Sequence, residues 1–180
     1  MNDLMRRLDQ DHRRLDQLLG LLEGLLDEFR DGQEPDYDLM CELMEYLIDY
    51  ADQVHHPSED LIFQRMVAQR APGHALLQQL MQQHQVLVQL NRRFKESLEG
   101  IVHEEVLRRD DVERRGRELI LQLRDHMRLE DEQAFPMAEA CLSAADWDEL
   151  LAAAPDVQDP VFGQDDPLRF RAILRQLKRM

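Results

Sequence analysis

The sequence predicts an all-α fold: an antiparallel up-and-down four-helix bundle with a short fifth helix and a C-terminal helix. Three observations predict it. Apolar residues, 43% of the 180, recur at helical spacing along nearly the whole chain. No stretch alternates apolar and polar residues between turn signals, as a half-buried strand would. The four longest periodic segments are joined by short polar breaks, and a short connection returns the chain as an antiparallel neighbour.

The first helix is expected over residues 3–30, with Leu4, Leu8, Leu15, Leu19, Leu22 and Leu26 on one stripe, and DGQEPD (31–36) ends it. The second runs to residue 70 with Met40, Met44, Leu47, Ala51, Ile62 and Met66 in register, and APG (71–73) closes it. Within it, Pro57 removes a helical hydrogen bond and strains the preceding turn, so a kink is expected there. The third covers residues 74–99 with Leu77, Leu80, Leu87 and Phe94 on its stripe and Gly100 as terminator. The fourth covers residues 104–141 with Leu119, Leu123, Met127 and Met137, its last turns bent by Pro136.

Ser143 and Asp146 suit the N-cap and first turn of the fifth helix. A linker, DVQDPVFGQDD (156–166), leads to PLRFRAILRQLKRM, where Pro167 fits a first helical position and Leu168, Ile173, Leu174 and Leu177 form an apolar face. Residues 1–141 are thus expected to form the bundle and residues 142–180 a helical extension packed on it, with the last helix also available as a homodimer contact.

Charge narrows the partners. With 22 Lys and Arg against 37 Asp and Glu, the net charge of -15 repels nucleic acid phosphates and anionic membrane surfaces. The N-terminal MNDLMRRLDQDHRRL lacks the apolar run of a secretion signal, and the greasiest stretch, LLGLLEGLL, is interrupted by Glu23, so a soluble, cytoplasmic protein is expected. Cys41 and Cys141 form no close pair, which removes a disulfide framework and a thiolate metal site and leaves packing as their role.

The chemistry lies in the histidines. The stretches HHPSEDLIF and HMRLEDEQAFP each set a histidine one turn ahead of a Glu-Asp pair, as His55 with Glu59 and His126 with Glu130, in a chain with 7 histidines. Residues four apart project from one helix face, so each pair presents an imidazole and a carboxylate to one point. The stripes Leu8-His12-Leu15, Ala51-His55-Glu59-Ile62, Leu77-Leu80-His84-Leu87 and Leu123-His126-Glu130 aim one histidine from each long helix at the core. In antiparallel helices His12 and His55 fall at one height above their shared loop, and His84 and His126 match more loosely.

A single histidine in an apolar stripe is more often a satisfied core residue than a ligand. Six such groups buried together without a cation, however, would cost several kcal/mol in desolvation. Imidazoles and carboxylates without thiolates are compatible with iron, manganese or zinc. Four imidazoles and two bridging carboxylates overfill one ion but suit two ions that share an oxo or hydroxo bridge and keep open positions.

The ordered motifs D-H-x-x-L, H-H-P-x-E-D-L-I-F, Q-H-x-x-L and H-x-x-x-E-D-x-x-x-F-P, over residues 3–141, resemble the haemerythrin-like (HHE cation-binding) domains, and DPVFG in the tail resembles bacterial members. The resemblance implies a non-haem di-iron site in a four-helix bundle, with His12, His55, Glu59, His84, His126 and Glu130 as ligands and the glutamates bridging. One position departs from the oxygen carriers of that family: the histidine they carry one turn before the third-helix ligand is Leu80 here. The remaining set is closer to di-iron proteins of iron-sulfur repair and to the haemerythrin-like domain of an iron-sensing F-box protein. The cysteine-containing N-terminal domain of the former and the F-box of the latter are not in this sequence.

His56 either completes that coordination position, supports a ligand by hydrogen bonding, or is a partly exposed neighbour of Pro57. His74 and His103 are expected to face solvent, and Tyr50 to pack between helices. The leading functional expectation is a di-iron protein that binds or senses oxygen, nitric oxide or iron. The alternatives are a di-iron oxidoreductase acting on peroxide or nitric oxide, or assisting iron-sulfur cluster repair, and a metal-free helical interaction module.

Overall fold

The computed structural model describes residues 2–103, 106–164 and 166–179. The side chain of Asn2 accepts the Met5 N–H and opens α1 (Asp3–Arg30), whose buried face runs from Leu4 through His12 to Phe29. Asp36 caps α2 (Tyr37–Tyr46) in the same way, and the chain continues through a π-helical segment, Leu47–His55, into α3 (His56–Ala68). Gly73, at φ 83°, makes the left-handed turn that starts α4 (His74–Val102). The fourth long arm is α5 (Arg109–Leu129), a second π segment, Glu130–Ala134, and α6 (Phe135–Cys141). No strand occurs among the described residues.

These four arms pack antiparallel in a ring, α1 beside α2 and α5, and α4 beside α2, α3 and α5. Gly116 sets how closely they meet: a Cβ there would lie 2.8 Å from Leu26 Cδ1 on α1 and 2.9 Å from Phe94 Cζ on α4.

The expected disruption at the two prolines takes a definite form. His56 N–H bonds to Ala51 O and Phe135 N–H to Glu130 O, each one residue farther back than in an α-helix. Each of these donors immediately precedes a proline, Pro57 or Pro136, which has no N–H of its own. The wider ring absorbs the missing bond, and both π segments touch the histidine and glutamate cluster.

Some boundaries differ from the sequence expectation. The third helix passes Gly100 and ends at Val102, because Gly100 is buried within the helix and Ile101 still packs on the core. The expected start of the fourth helix at residue 104 lies outside the described residues; residues 106–108 are not helical and the arm begins at Arg109.

After the bundle, Ser143 and Asp146 form a reciprocal capping box that starts α7 (Ala144–Ala153). Trp147 and Leu150 on α7 bury against the apolar layer of Leu4, Phe63 and Phe135, and Arg65 of α3 pairs with Asp146 at 2.6 Å. The last helix, α8 (Arg171–Leu177), is shorter than expected and begins four residues after Pro167, with the Glu42 carboxylate accepting the Ala172 and Ile173 N–H groups at 2.7 and 2.9 Å. Leu168 is a correction: it is 95% exposed, and Phe170, fully buried, takes the anchoring role beside Tyr46. Of the described residues, no helix is long and apolar enough to cross a membrane.

Two apolar clusters fill the bundle. One holds Leu15, Leu47, Leu87 and Leu123, and the other holds Leu8, Ile62, Leu80 and Ala134. On each arm the histidine or glutamate falls between a residue of the first cluster and one of the second. The polar groups therefore form a slab sealed on both sides by hydrocarbon, where the local dielectric is low.

Candidate metal centre

The slab brings together all six sequence-predicted residues: His12, His55, Glu59, His84, His126 and Glu130, each at most 4% exposed. Glu59 divides its oxygens between two sides. Its Oε1 lies 3.2 Å from His12 Nε2 and 3.1 Å from His55 Nε2, and its Oε2 lies 3.3 Å from His84 Nε2. Glu130 does the same, with Oε2 at 3.4 Å from His12 Nε2 and Oε1 at 3.5 Å from His84 Nε2 and 3.1 Å from His126 Nε2. Two half-sites result, His12 with His55 and His84 with His126, and each carboxylate spans both.

His56 joins the second half. It is 3% exposed, which overturns the reading of it as a partly exposed neighbour, and its ring stacks on His84 at 4.5 Å between centroids. Suitable ligand atoms of His56, Glu59, His84 and His126 lie within 4.8 Å of one another, as do those of His12, His55 and Glu59. His74 and His103 are exposed, as expected.

The outer ring nitrogens are held by residues to which the sequence reading gave no role. His12 Nδ1–H donates to Asp131 at 2.7 Å, His55 Nδ1–H to Asp11 at 3.2 Å, His84 Nδ1–H to Asp60 at 2.7 Å and His126 Nδ1–H to Gln83 at 2.8 Å. These bonds fix the tautomer that turns each Nε2 lone pair inward. The pattern is crossed. Asp131 follows Glu130 and Asp60 follows Glu59, whereas Asp11 precedes His12 and Gln83 precedes His84, so each supporting residue flanks one predicted ligand in sequence and serves a histidine of another arm. The signal was present in the D-H, Q-H and E-D pairs.

Tyr50 does more than pack. Its hydroxyl donates to both Asp11 oxygens at 3.3 Å, which ties it to His55, and Tyr46 donates to Asp159 of the tail at 3.0 Å. Arg14 bridges the two carboxylates, 3.7 Å from Asp11 and 3.3 Å from Asp159. Burial, reinforced by these carboxylates, pushes both tyrosine pKa values up, so the phenols remain donors.

The donor set carries the signature of a cation site. His55 Nε2, His84 Nε2, His126 Nε2, Glu59 Oε2 and both Glu130 oxygens are buried and lack a hydrogen-bond partner. Unpaired buried groups on this scale are strongly unfavourable, and bound metal would satisfy them. Without a metal, protons take that part. Burial opposes the charge on His12, His55 and His84, but hydrogen bonds and charge from Asp131, Asp11, Asp60, Glu59 and Glu130 outweigh it, raising His55 to about 9 and the other two well above their ordinary value. Burial likewise opposes ionisation of Glu59 and Glu130, and the surrounding histidines overcome it to hold both below the usual carboxylate range.

Over His12, between α1 and α5, the surface opens into a cleft of about 470 Å³ whose lining includes Met127, Arg128, Asp131 and Glu132. A family model described as "Hemerythrin HHE cation binding domain" matches residues 3–138. Comparison with curated proteins and with solved structures gave no match.

Proposed function

The chain belongs to the hemerythrin HHE cation-binding family, and on that premise we propose that it is a non-haem di-iron protein that binds or senses a small diatomic ligand, oxygen or nitric oxide, or iron itself. The observation that carries this reading is the split of each buried carboxylate between two histidine half-sites, with inward nitrogens and oxygens left unpaired. His12, His55, His84 and His126 with Glu59 and Glu130 would hold the pair. Two iron ions there would supply reversible one-electron chemistry and open coordination positions.

The chain's own residues prepare that role. Asp131, Asp11, Asp60 and Gln83 orient the imidazoles, the two apolar layers exclude water, and the cleft over His12 offers a route for something small. Its mixed lining of arginines and carboxylates suits neither a nucleic acid nor a large apolar substrate.

The test is iron quantitation with absorption spectra of the reduced protein before and after addition of nitric oxide or oxygen. Close to two irons per chain and a ligand-dependent spectral change are expected; no iron pair, or no change on addition, removes the reading. Replacing Glu59 or Glu130 by Ala should lower iron content far more than replacing the exposed His103, and equal losses would refute the ligand assignment. The alternative, turnover of peroxide or nitric oxide or assistance to iron-sulfur repair by the same centre, is separated by turnover assays of wild type against His126→Ala, where equal activity excludes it.

A further inference from the structure

We propose that His56 is an additional metal ligand, bound through Nε2 on the half-site of His84 and His126, and that it takes the coordination position left open by Leu80. The inference rests on the di-iron reading and assigns a residue which that reading leaves without a role.

His56 is buried, and both of its ring nitrogens lack a hydrogen-bond partner. A buried imidazole without partners is unfavourable, and no other function for it is visible among the described residues. Its ring lies flat on His84, 15° from parallel, and edge-on to His126 at 5.7 Å, so it lies against both histidines of that half-site. Nδ1 faces Asp52 Oδ1 at 3.4 Å, and Asp52 is in turn held by the Asn91 side-chain amide of α4 at 3.1 and 3.0 Å. That leaves Nε2 as the ligand atom, the polarity shared by the other four core histidines. Asp52 stands on the same ring nitrogen that Asp60 holds in His84, at a longer distance that makes no hydrogen bond.

The backbone explains how adjacent histidines reach different half-sites. Neighbours on a helix diverge by about 100°, so His55 turns toward His12 while His56 turns toward His84. The π segment ending at His55 supplies the extra residue that keeps both rings inside the bundle. When the second arm is aligned with the fourth on His55/Glu59 and His126/Glu130, the counterpart of His56 is Met127 and that of Asp52 is Leu123. Both counterparts belong to the apolar core. The extra imidazole and its carboxylate support are therefore built on one side only. The pair of ions is unequal: His56, His84 and His126 serve one, and His12 and His55 the other.

The experiment compares wild type with His56→Met, which installs the side chain found at the counterpart position, and His56→Gln, which keeps a polar group of similar size. Each is loaded anaerobically with ⁵⁷Fe(II), and iron per chain, iron affinity and Mössbauer spectra are measured alongside helical circular dichroism. Wild type should bind two irons with two distinct quadrupole doublets. Both variants should keep the helical signal, bind one iron about tenfold or more weakly, and show one doublet altered. Two irons at wild-type affinity with unaltered doublets in the variants overturn the assignment of His56 alone, whereas a wild type with no iron pair overturns the di-iron reading beneath it. Pulsed electron paramagnetic resonance of the wild-type mixed-valent form gives an answer that needs no variant. Coupled imidazole nitrogens from His12, His55, His56, His84 and His126 support the proposal, and one fewer refutes it.

Discussion

His12, His55 and His84 carry the pH behaviour of the metal-free chain. Their pKa values stand above the ordinary 6.5, with His55 at about 9. A group whose pKa rises on folding stabilises the fold fully below its unfolded value and loses that contribution as pH climbs through the folded one. The glutamates act oppositely: depressed in the fold, they stabilise above their ordinary 4.5 and lose that contribution as pH falls toward their folded values. These five groups together contribute most between pH 4.5 and 6.5, while His56, held well below its ordinary 6.5 by burial, costs stability as pH falls from 6.5. Calorimetry of chelator-treated protein should show Tm falling by roughly 5 °C or more between pH 6.5 and 9, and iron-loaded protein should lack this fall. That these six side chains would converge was legible because each falls on an apolar stripe and two pairs repeat one turn apart. Their supports were not, since Asp131 and Asp60 act across arms and only the packed bundle reveals which imidazole each one meets.

At the scale of the element, α5 meets α1 and α4 at Gly116 with no room for a side chain. A methyl group there would press on Leu26 and Phe94, both buried in the core. Gly116→Ala is expected to cost about 1–3 kcal/mol through overpacking, read as a lower midpoint in denaturant with iron per chain unchanged, because Gly116 lies in the apolar layer away from the cluster. The long helices were legible from periodicity and from their Gly and Pro breaks. Whether Pro57 and Pro136 would kink, break or widen a helix was not, because a proline states only that a hydrogen bond is missing. The packing of His55, His56 and Glu130 around the slab goes with the widened form. The tail's apolar face was misread at Leu168, which is exposed, while the Phe170 ring fills the space beside Tyr46.

For the whole molecule, one chain of polar contacts joins the tail to the centre. Asp159 of the tail reaches Tyr46 and Arg14, Arg14 approaches Asp11, and Asp11 accepts from Tyr50 and His55. The chain after the bundle is thereby linked to the centre through side chains on α1 and the second arm, a link that motif spacing could not show because it spans the length of the sequence.

The shared carboxylates have a consequence for how the protein would fill. An ion in one half-site would fix Glu59 and Glu130 with their remaining oxygens turned to the other, so a second ion would meet donors already arranged for it. Loading should then resemble a threshold more than a ramp. Native mass spectrometry of protein given half its iron capacity should find mostly empty and fully loaded chains, with few carrying one ion; a dominant single-ion population would show that the halves fill independently. A centre of this kind would register the supply of its metal as a near-binary state, chain by chain.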